Sequence, residues 1–346
     1  MVCYPVPRGV PRNTEGLFAV TRPAPQWRRW GLLGKLLEVM AIGYTFSRFD
    51  TPLVVQRASG FETGLVALTA RLRGMQFVYS SASVADFQYE RLDSRRRNRV
   101  LFHLGVRLAN TIVVQSCEQV ALCESRFGRV PTLIRSVAEP VPLRPRLPGG
   151  FLWIGRLLRY KRPFDYLELA RAVPEAQFWM VIGRPVKYLT GEEEEFARAA
   201  VEISNLKLIS PLPRAQLMEL VAKAVAIVNT SDFEGMPNTF LEGWARGVPA
   251  LALFHDPDGV IARETVGCFA NGSLERLAAS ARRLWSERSD QDTLSARCRE
   301  YVEREHALET VADQWTKALG LNGGGVEQAP PGQLHPDRQS GFQNRA

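Results

Sequence analysis

The 346-residue chain is long enough for two domains of ordinary size, and its 45% hydrophobic and 23% charged residues are typical of a globular protein. No apolar run reaches the 18 or so residues of a membrane-spanning helix. The five cysteines show no spacing typical of a zinc site or a disulfide framework. The net charge of +8 is uneven, because residues 1–148 carry 21 Lys and Arg against 10 Asp and Glu.

The first half of the chain has the pattern of an irregular α/β region. Apolar runs predict strands at 53–56, 77–80, 111–115 and 132–134, separated by helices at 63–73, 92–109 and 118–127. The second of these helices begins with four arginines, Arg95, Arg96, Arg97 and Arg99, and then becomes apolar. Nucleic acid, an anionic membrane or an anionic substrate would each suit this basic half. A compositional bias is the alternative, since Arg outnumbers Lys 38 to 6.

Residues 139–150 (EPVPLRPRLPGG) predict a linker, because four prolines and two glycines exclude a helix or a central strand. Strands and helices then alternate strictly, which predicts a doubly wound parallel sheet. The predicted strands are 151–155, 178–183, 206–209, 225–229 and 250–253, and the predicted helices are 163–172, 192–203, 214–224, one from Asn238, 290–306 and 308–319. The polar residues from 322 onwards predict a disordered tail.

A basic patch follows the first strand of this second half. The strand ends in Gly155, and two cations, Arg156 and Lys161, follow five residues apart. Fixed cations at such a position suit an anionic group such as a diphosphate, because they can stabilise its charge without a metal. A helix start with solvated basic residues is the alternative interpretation.

Two glutamates eight positions apart lie in the stretch SDFEGMPNTFLEGWARGVP, residues 231–249. Glu234 is followed by a Gly-Met-Pro-Asn turn signal. A helix is predicted from Asn238 as N-cap, and Glu242 lies one turn into it. In open α/β sheets the ligand binds just beyond the carboxyl ends of the strands, and a helix N-terminus there suits a phosphate.

These residues resemble the signature of the retaining glycosyltransferases of family 4 (group 1), which have the GT-B fold. That signature is a Glu-x7-Glu motif with EGxPN after the first glutamate and GxP about a dozen residues later. The matching positions are Glu234, Gly235, Pro237, Asn238, Glu242, Gly247 and Pro249. The resemblance implies an α/β fold of two Rossmann-like domains facing a cleft. The N-terminal domain is expected to be incomplete or irregular, because residues 1–28 lack the family's opening strand and Gly-rich loop.

The resemblance also implies a role for each matching residue. Arg156 and Lys161 would hold the diphosphate, and Glu234 would bind hydroxyls of the transferred sugar. Glu242 would accept hydrogen bonds from the ribose. The other donor-binding positions would be Gly155, Gly183, Arg184, Pro211, Gly235, Met236, Pro237, Asn238, Thr239 and Phe240, the last three through backbone N–H groups on the distal phosphate. No metal and no cofactor are implied.

Two acidic signals have alternative interpretations. Asp256 and Asp258 form a DxD, the metal-binding motif of the other large glycosyltransferase fold, but here a turn after a strand is the favoured interpretation. Asp86 lies in the stretch where many family members carry a histidine near the sugar. It would be either a substitute for that histidine or a loop aspartate.

The resemblance thus predicts a retaining, metal-independent hexosyl-type glycosyltransferase that moves a sugar from a nucleotide-sugar donor to a glycan or lipid-linked acceptor. The setting would be cell-surface polysaccharide or glycolipid synthesis. The expected domains are an acceptor-side domain at 1–138, the linker at 139–150, a donor-binding domain at 151–307, a helix returning to the first domain at 308–320, and a tail at 321–346.

The expected location is cytoplasmic, with peripheral contact to an anionic membrane through Arg95, Arg96, Arg97 and Arg99. Three alternatives remain open. A non-catalytic nucleotide-sugar-binding remnant is favoured by the atypical N-terminus, whereas a GT-B epimerase is disfavoured by the scarcity of histidine. A nucleic-acid-binding protein is disfavoured because the chain shows no recognisable nucleic-acid motif, and no nucleic-acid partner is expected.

Overall fold

The computed structural model describes residues 2–3, 13–14, 17–18, 20–21, 34, 40, 52–88, 95–141, 148–183 and 192–321. The chain forms two compact units, residues 1–51 with 320–346 and residues 52–319. In the first unit, β1 (Val2–Cys3) pairs in parallel with β4 (Val20–Thr21), and β2 (Asn13–Thr14) pairs antiparallel with β3 (Leu17–Phe18). The predicted tail from residue 322 onwards lies outside the described residues.

Residues 52–134, called here the N-terminal lobe, are built on a four-stranded parallel sheet in sequential order. The strands are β5 (Leu53–Arg57), β6 (Gln76–Ser80), β7 (Thr111–Val114) and β8 (Thr132–Leu133), and the helices are α1 (Glu62–Leu72), α2 (Arg96–Leu108) and α3 (Cys117–Phe127). Helices α1 and α2 can pack closely because Gly64 of α1 has no side chain. A Cβ at this position would lie 2.3 Å from the carbonyl oxygen of Leu101 in α2. Each of these elements was predicted, with ends that differ by a few residues.

Residues 148–306, called here the C-terminal lobe, are built on a six-stranded parallel sheet in the order β11-β10-β9-β12-β13-β14. The strands are β9 (Gly150–Gly155), β10 (Phe178–Ile182), β11 (Leu206–Ile209), β12 (Ala224–Asn229), β13 (Ala250–Ala252) and β14 (Gly267–Phe269). The chain winds outward from β9 to β11 and then returns to β12 to build the other side. This is a doubly wound sheet, and its topological switch point lies between β9 and β12.

The helices of the C-terminal lobe cover both faces of this sheet. They are α4 (Pro163–Ala172), α5 (Glu192–Val201), α6 (Arg214–Ala222), α7 (Asn238–Trp244), α8 (Val260–Arg263), α9 (Leu274–Ser286) and α10 (Asp292–His306). Every residue of β12 is buried, because the strand has helices on both faces and its AVAIVN sequence is almost wholly apolar. Three elements, α8, β14 and α9, were not predicted from the sequence.

The last helix, α11 (Leu308–Ala318), packs on the sheet of the N-terminal lobe. Its Val311 is buried in one cluster with Val78 and Val113 of that sheet. No helix in the described part of the chain is both long and apolar enough to cross a membrane.

Candidate functional site

The loops that follow β9 and β12 meet at the switch point of the C-terminal lobe. Thr230, directly after β12, donates its hydroxyl to the carbonyl of Lys161 (2.7 Å) and accepts the indole N–H of Trp153 in β9 (3.1 Å). Both Thr230 and Trp153 are buried. These two bonds fix one loop against the other, so the side chains that the loops carry have defined positions.

Lys161 and Glu234 form an ion pair between these two loops. Ser231 donates its hydroxyl to the same carboxylate oxygen of Glu234 at 2.9 Å. The two charged side chains are 20% and 18% exposed, so both are accessible to a ligand. When a ligand binds, the ammonium group can leave the carboxylate and bind an anion instead. The carboxylate can then accept a hydrogen bond from a hydroxyl group of the ligand.

Glu242 forms a second ion pair, with Arg214 at the start of α6 (2.5 Å), and its side chain is 16% exposed. Arg246 donates to the backbone carbonyl of Glu242 (3.0 Å). Burial lowers the pKa of Arg246, and the charge of Glu242 opposes that shift. Both glutamates of the motif are therefore held next to cations in this structure.

The start of α7 differs from the predicted cap. Pro237 occupies the N-cap position and Asn238 is the first helical residue, without a side-chain capping bond, so the predicted N-cap was wrong. The N–H of Phe240 donates to the carbonyl of Pro237 (3.0 Å), which competes with the predicted phosphate contact there. Among the described residues the N–H groups of Asn238 and Thr239 have no acceptor.

Met236 and Gly235 have different positions within the turn. The side chain of Met236 is buried in the core, so any ligand contact there is confined to its backbone. The carbonyl of Gly235 lies 3.2 Å from Nε2 of His255. A Cβ at Gly235 would lie 3.6 Å from Nε2 of Gln119 and 3.7 Å from Cα of Ser83, so this glycine faces the N-terminal lobe.

Asp86 is engaged within the N-terminal lobe. Its carboxylate accepts five hydrogen bonds, from the N–H and hydroxyl of Ser59, the hydroxyl of Ser81 and the N–H groups of Ala82 and Ser83. The residue is buried. Asp86 therefore shapes the loop that faces Gly235, which favours the loop-aspartate interpretation.

The remaining predicted positions lie at the same carboxyl edge of the sheet. The N–H of Gly183 donates to the carbonyl of Gly155 (2.7 Å), which aligns the ends of β9 and β10. Arg156 is exposed and lies against Gly183, and its guanidinium group has no hydrogen-bond or ion-pair partner among the described residues. Pro211 is exposed on the loop after β11, and Arg184 lies outside the described residues.

Several residues that position this site were not predicted from the sequence. Arg162 has a left-handed backbone (φ 46°), pairs with Asp165 and Asp232, and stacks over Phe254 at 4.3 Å. The hydrogen bond from Arg162 to Asp165 raises the pKa of Arg162. Thr230, Ser231, Arg214 and His255 belong to the same group. Thr230 and Ser231 follow a predicted strand directly, so their position was the signal that would have identified them.

The two acids of the DxD sequence bind different helices. Asp256 accepts the N–H groups of Ile261 (2.7 Å) and Ala262 (3.1 Å) at the start of α8. Asp258 accepts the N–H of Cys117 in α3 at 2.9 and 3.0 Å. The carboxylates thus stabilise a turn and two helix N-termini. Among the described residues no group of three or more His, Cys, Asp or Glu is placed to hold a metal ion.

The C-terminal lobe matches a known protein family. Residues 147–304 match the family model described as glycosyl transferases group 1, which spans the Lys161, Glu234 and Glu242 positions. No curated protein matches the sequence significantly.

Similar solved structures include glycosyltransferases of known fold. They are a TarM variant of S. aureus in complex with fondaparinux, alpha-GlcNAc-glycerol and UDP (13% identity, TM-score 0.66, 81% of this chain and 58% of that chain), sucrose-phosphate synthase of Thermosynechococcus elongatus (17%, 0.75, 93% and 88%), and HepE of Anabaena in complex with UDP and glucose (16%, 0.69, 88% and 86%). The chain thus spans little more than half the length of TarM. The protein has the α/β GT-B fold of glycosyltransferases, and residues 147–304 match the glycosyl transferases group 1 family.

Proposed function

We propose that the protein is a retaining glycosyltransferase that transfers a sugar from a nucleotide-sugar donor to a glycan or lipid-linked acceptor. The observation that carries this proposal is the exchangeable Lys161–Glu234 pair at the switch point. It lies within the region that matches the group 1 family model. Since HepE binds UDP and glucose and TarM binds UDP, UDP-linked hexoses are the first donors to test.

The donor's charge is balanced by cations of the C-terminal lobe. When the bond between the anomeric carbon and the phosphate oxygen breaks, its electron pair stays on the phosphate, and fixed cations lower the barrier by stabilising that charge. Lys161 and Arg156 supply them in this proposal. Glu234, released from Lys161, accepts a hydroxyl of the sugar, and Glu242, oriented by Arg214, accepts a ribose hydroxyl.

The proposed transfer proceeds on one face of the sugar. The acceptor oxygen bonds to the anomeric carbon on the side from which the phosphate leaves, and the departing phosphate oxygen takes the acceptor's proton. The configuration at the anomeric carbon is then retained. The engagement of Asp86 in five internal hydrogen bonds supports this route, because that carboxylate has no free oxygen lone pair directed at a substrate proton.

A screen of nucleotide sugars for thermal stabilisation tests this function. UDP-glucose, UDP-N-acetylglucosamine, GDP-mannose and ADP-glucose would be compared with their free nucleoside diphosphates. A ligand at a hundred times its dissociation constant adds about 2.7 kcal/mol to the free energy of unfolding. A folded protein that no nucleotide sugar stabilises would contradict the proposal. Binding without release of nucleoside diphosphate in the presence of acceptor glycolipids would favour the non-catalytic alternative.

We also propose a cytoplasmic protein in peripheral contact with anionic membranes, where a lipid-linked acceptor would be presented. The basis is the start of α2, where Arg95, Arg96 and Arg97 are exposed and Val100 is 60% exposed. Each basic residue near an anionic surface contributes about 1 kcal/mol, which salt screens.

Co-sedimentation with anionic and neutral liposomes at low and high salt tests this contact. Binding should need anionic lipid and should fall when Arg95, Arg96, Arg97 and Arg99 are changed to glutamine. A control variant with Arg276→Gln and Arg297→Gln on the C-terminal lobe should bind like the wild type. Equal binding by the glutamine variant of α2 would refute a membrane role for this helix.

A further inference from the structure

Asp258 lies in a strained turn between β13 and α8. Its backbone is left-handed (φ 52°, ψ 21°), a conformation that is unfavourable for a residue with a side chain. Its carboxylate is only 4% exposed. Such a conformation persists where surrounding contacts hold it. The backbone carbonyl of Asp258 accepts a hydrogen bond from Arg263 of α8 (2.8 Å), and its carboxylate contacts the other lobe.

The carboxylate of Asp258 binds the first turn of α3 in the N-terminal lobe. Its two oxygens lie 2.9 and 3.0 Å from the N–H of Cys117, and one of them lies 3.4 Å from the N–H of Glu118. The first N–H groups of a helix have no partner within the helix, and the helix dipole favours a negative charge there.

Arg135, in the segment after β8, extends this contact. It lies 3.7 Å from Asp258 and 3.3 Å from Glu305 of α10, so it joins the turn and the helix through one guanidinium group. Asp258 is therefore held both by α3 of the N-terminal lobe and by Arg135 in the segment that follows that lobe.

The same turn of α3 faces the proposed sugar site. Gln119 follows Glu118 directly, and its Oε1 accepts the N–H of Gln115 (2.7 Å), which fixes the direction of its amide nitrogen. That nitrogen is buried, has no partner among the described residues, and faces Gly235, the neighbour of Glu234. A shift of Asp258 relative to α3 would therefore move the two walls of the cleft relative to each other.

We infer that Asp258 is a positioning residue for sugar transfer. By holding the first turn of α3, it sets the distance between the donor-binding loops of the C-terminal lobe and the acceptor-side loops of the N-terminal lobe. A misplacement of about 1 Å between reacting groups can lower a rate about a hundredfold. The inference rests on the proposed function for its consequence but not for the contact itself.

The test compares Asp258→Ala and Asp258→Asn with Asp256→Ala as the matched control. Asp256 lies in the same turn but binds α8 of its own lobe, so its loss reports local damage only. Amide hydrogen exchange should rise at least tenfold at Cys117 and Glu118 in Asp258→Ala and stay unchanged there in Asp256→Ala. Asp258→Asn keeps one oxygen acceptor, so its exchange at these two amides should lie between that of the wild type and that of Asp258→Ala. It replaces the alanine variant in the test if that variant does not fold.

A second readout separates positioning from folding. With the nucleotide sugar that stabilises the wild type most, the Kd should stay within twofold in Asp258→Ala, while kcat for sugar transfer falls at least tenfold. Unchanged exchange at Cys117 and Glu118, or an unchanged kcat, would overturn the inference. If no nucleotide sugar binds the wild type, the proposed function fails, whereas the exchange experiment still decides whether Asp258 holds the lobes together.

Discussion

The motif glutamates of the C-terminal lobe and Asp86 of the N-terminal lobe differ in exposure and in their number of partners. In the C-terminal lobe Glu234 and Glu242 are each partly exposed and paired with one cation. In the N-terminal lobe Asp86 is buried and saturated by five hydrogen bonds from its own loops. A partly exposed ion pair can exchange its partner for a ligand at little cost, whereas a buried carboxylate with many donors cannot. Exposure and number of partners, rather than residue type, separate binding groups from structural ones.

We predict that Asp86 contributes to the stability of the N-terminal lobe and not to donor binding. Asp86→Ala leaves five donors without their acceptor, and at about 1 kcal/mol for each bond the free energy of unfolding should fall by about 3–5 kcal/mol. Urea unfolding measures this loss, with the exposed Glu124→Ala of the same lobe as control. The affinity of the folded variant for a nucleotide sugar should not change. A loss below about 1 kcal/mol would show that the Asp86 network is not structural.

His306, at the junction between the lobes, is a buried and hydrogen-bonded titratable group like Asp86, so we expect it to contribute to stability rather than to ligand binding. This residue is buried, its Nδ1 lies 2.7 Å from the carbonyl of Ser136, and burial lowers its pKa to about 4. Arg135, which also lowers the pKa, and Glu305, which opposes the shift, face it together with Tyr301.

The sign of the pH dependence follows from that lowered pKa. The unfolded chain binds a proton on His306 below its ordinary pKa of 6.5, and the folded protein does not until about pH 4. The contribution of neutral His306 is therefore complete above pH 6.5 and is lost as the pH falls towards 4, by up to about 3 kcal/mol. Urea unfolding from pH 7.5 to 4 should show this slope in the wild type and not in His306→Gln. Parallel slopes in the two proteins would contradict it.

Much of the C-terminal lobe could be predicted from the sequence because its local signals agree. The AVAIVN run, the turn after Glu234 and the apolar face of α7 each indicate the same strand-loop-helix unit. The strand β14 has only three residues, which is too short for a periodic signal. Helix α9 has a serine cap and an amphipathic pattern, so its signals were present in the sequence.

The contacts at the candidate site could not be predicted, because they depend on strand order. Lys161 and Glu234 are 73 positions apart and meet only because β9 and β12 are neighbours in the sheet. The contact of Asp258 with α3 likewise joins residues 141 positions apart, whereas Asp256 binds N–H groups only five and six positions along the chain. Sequence patterns indicate which residue types a loop carries, and the topology decides which loops meet.

Removing a cation or a carboxylate of the C-terminal lobe should affect binding more than stability. Lys161→Ala and Glu242→Ala should each weaken nucleotide-sugar binding by about 1.5–3 kcal/mol, roughly 10- to 150-fold, through loss of a charge-assisted hydrogen bond. The free energy of unfolding should change by less than about 1 kcal/mol, because both pairs are partly exposed. Calorimetry measures the affinity, with the exposed Lys207→Ala and Glu219→Ala as controls. Unchanged affinity in both site variants would contradict the assignment of the donor site to this lobe.

The smallest expected effect is that of metal chelation. It tests whether cations of the C-terminal lobe, and not its DxD carboxylates with a metal ion, balance the charge of the donor. Asp256 and Asp258 bind the N–H groups at the starts of α8 and α3, so we expect Arg156 and Lys161 rather than a metal ion to balance the charge of a bound diphosphate. Excess EDTA should therefore leave both nucleotide-sugar affinity and turnover within about twofold of their values in Mg²⁺, since a fixed cation stabilises the leaving group without a metal ion. The matched measurement is Lys161→Ala with and without Mg²⁺. If activity disappeared in EDTA and returned with Mn²⁺ or Mg²⁺, Asp258 would have to leave α3 to bind the metal. Hydrogen exchange at Cys117 would then rise on metal addition, which ties this outcome to the contact between the lobes.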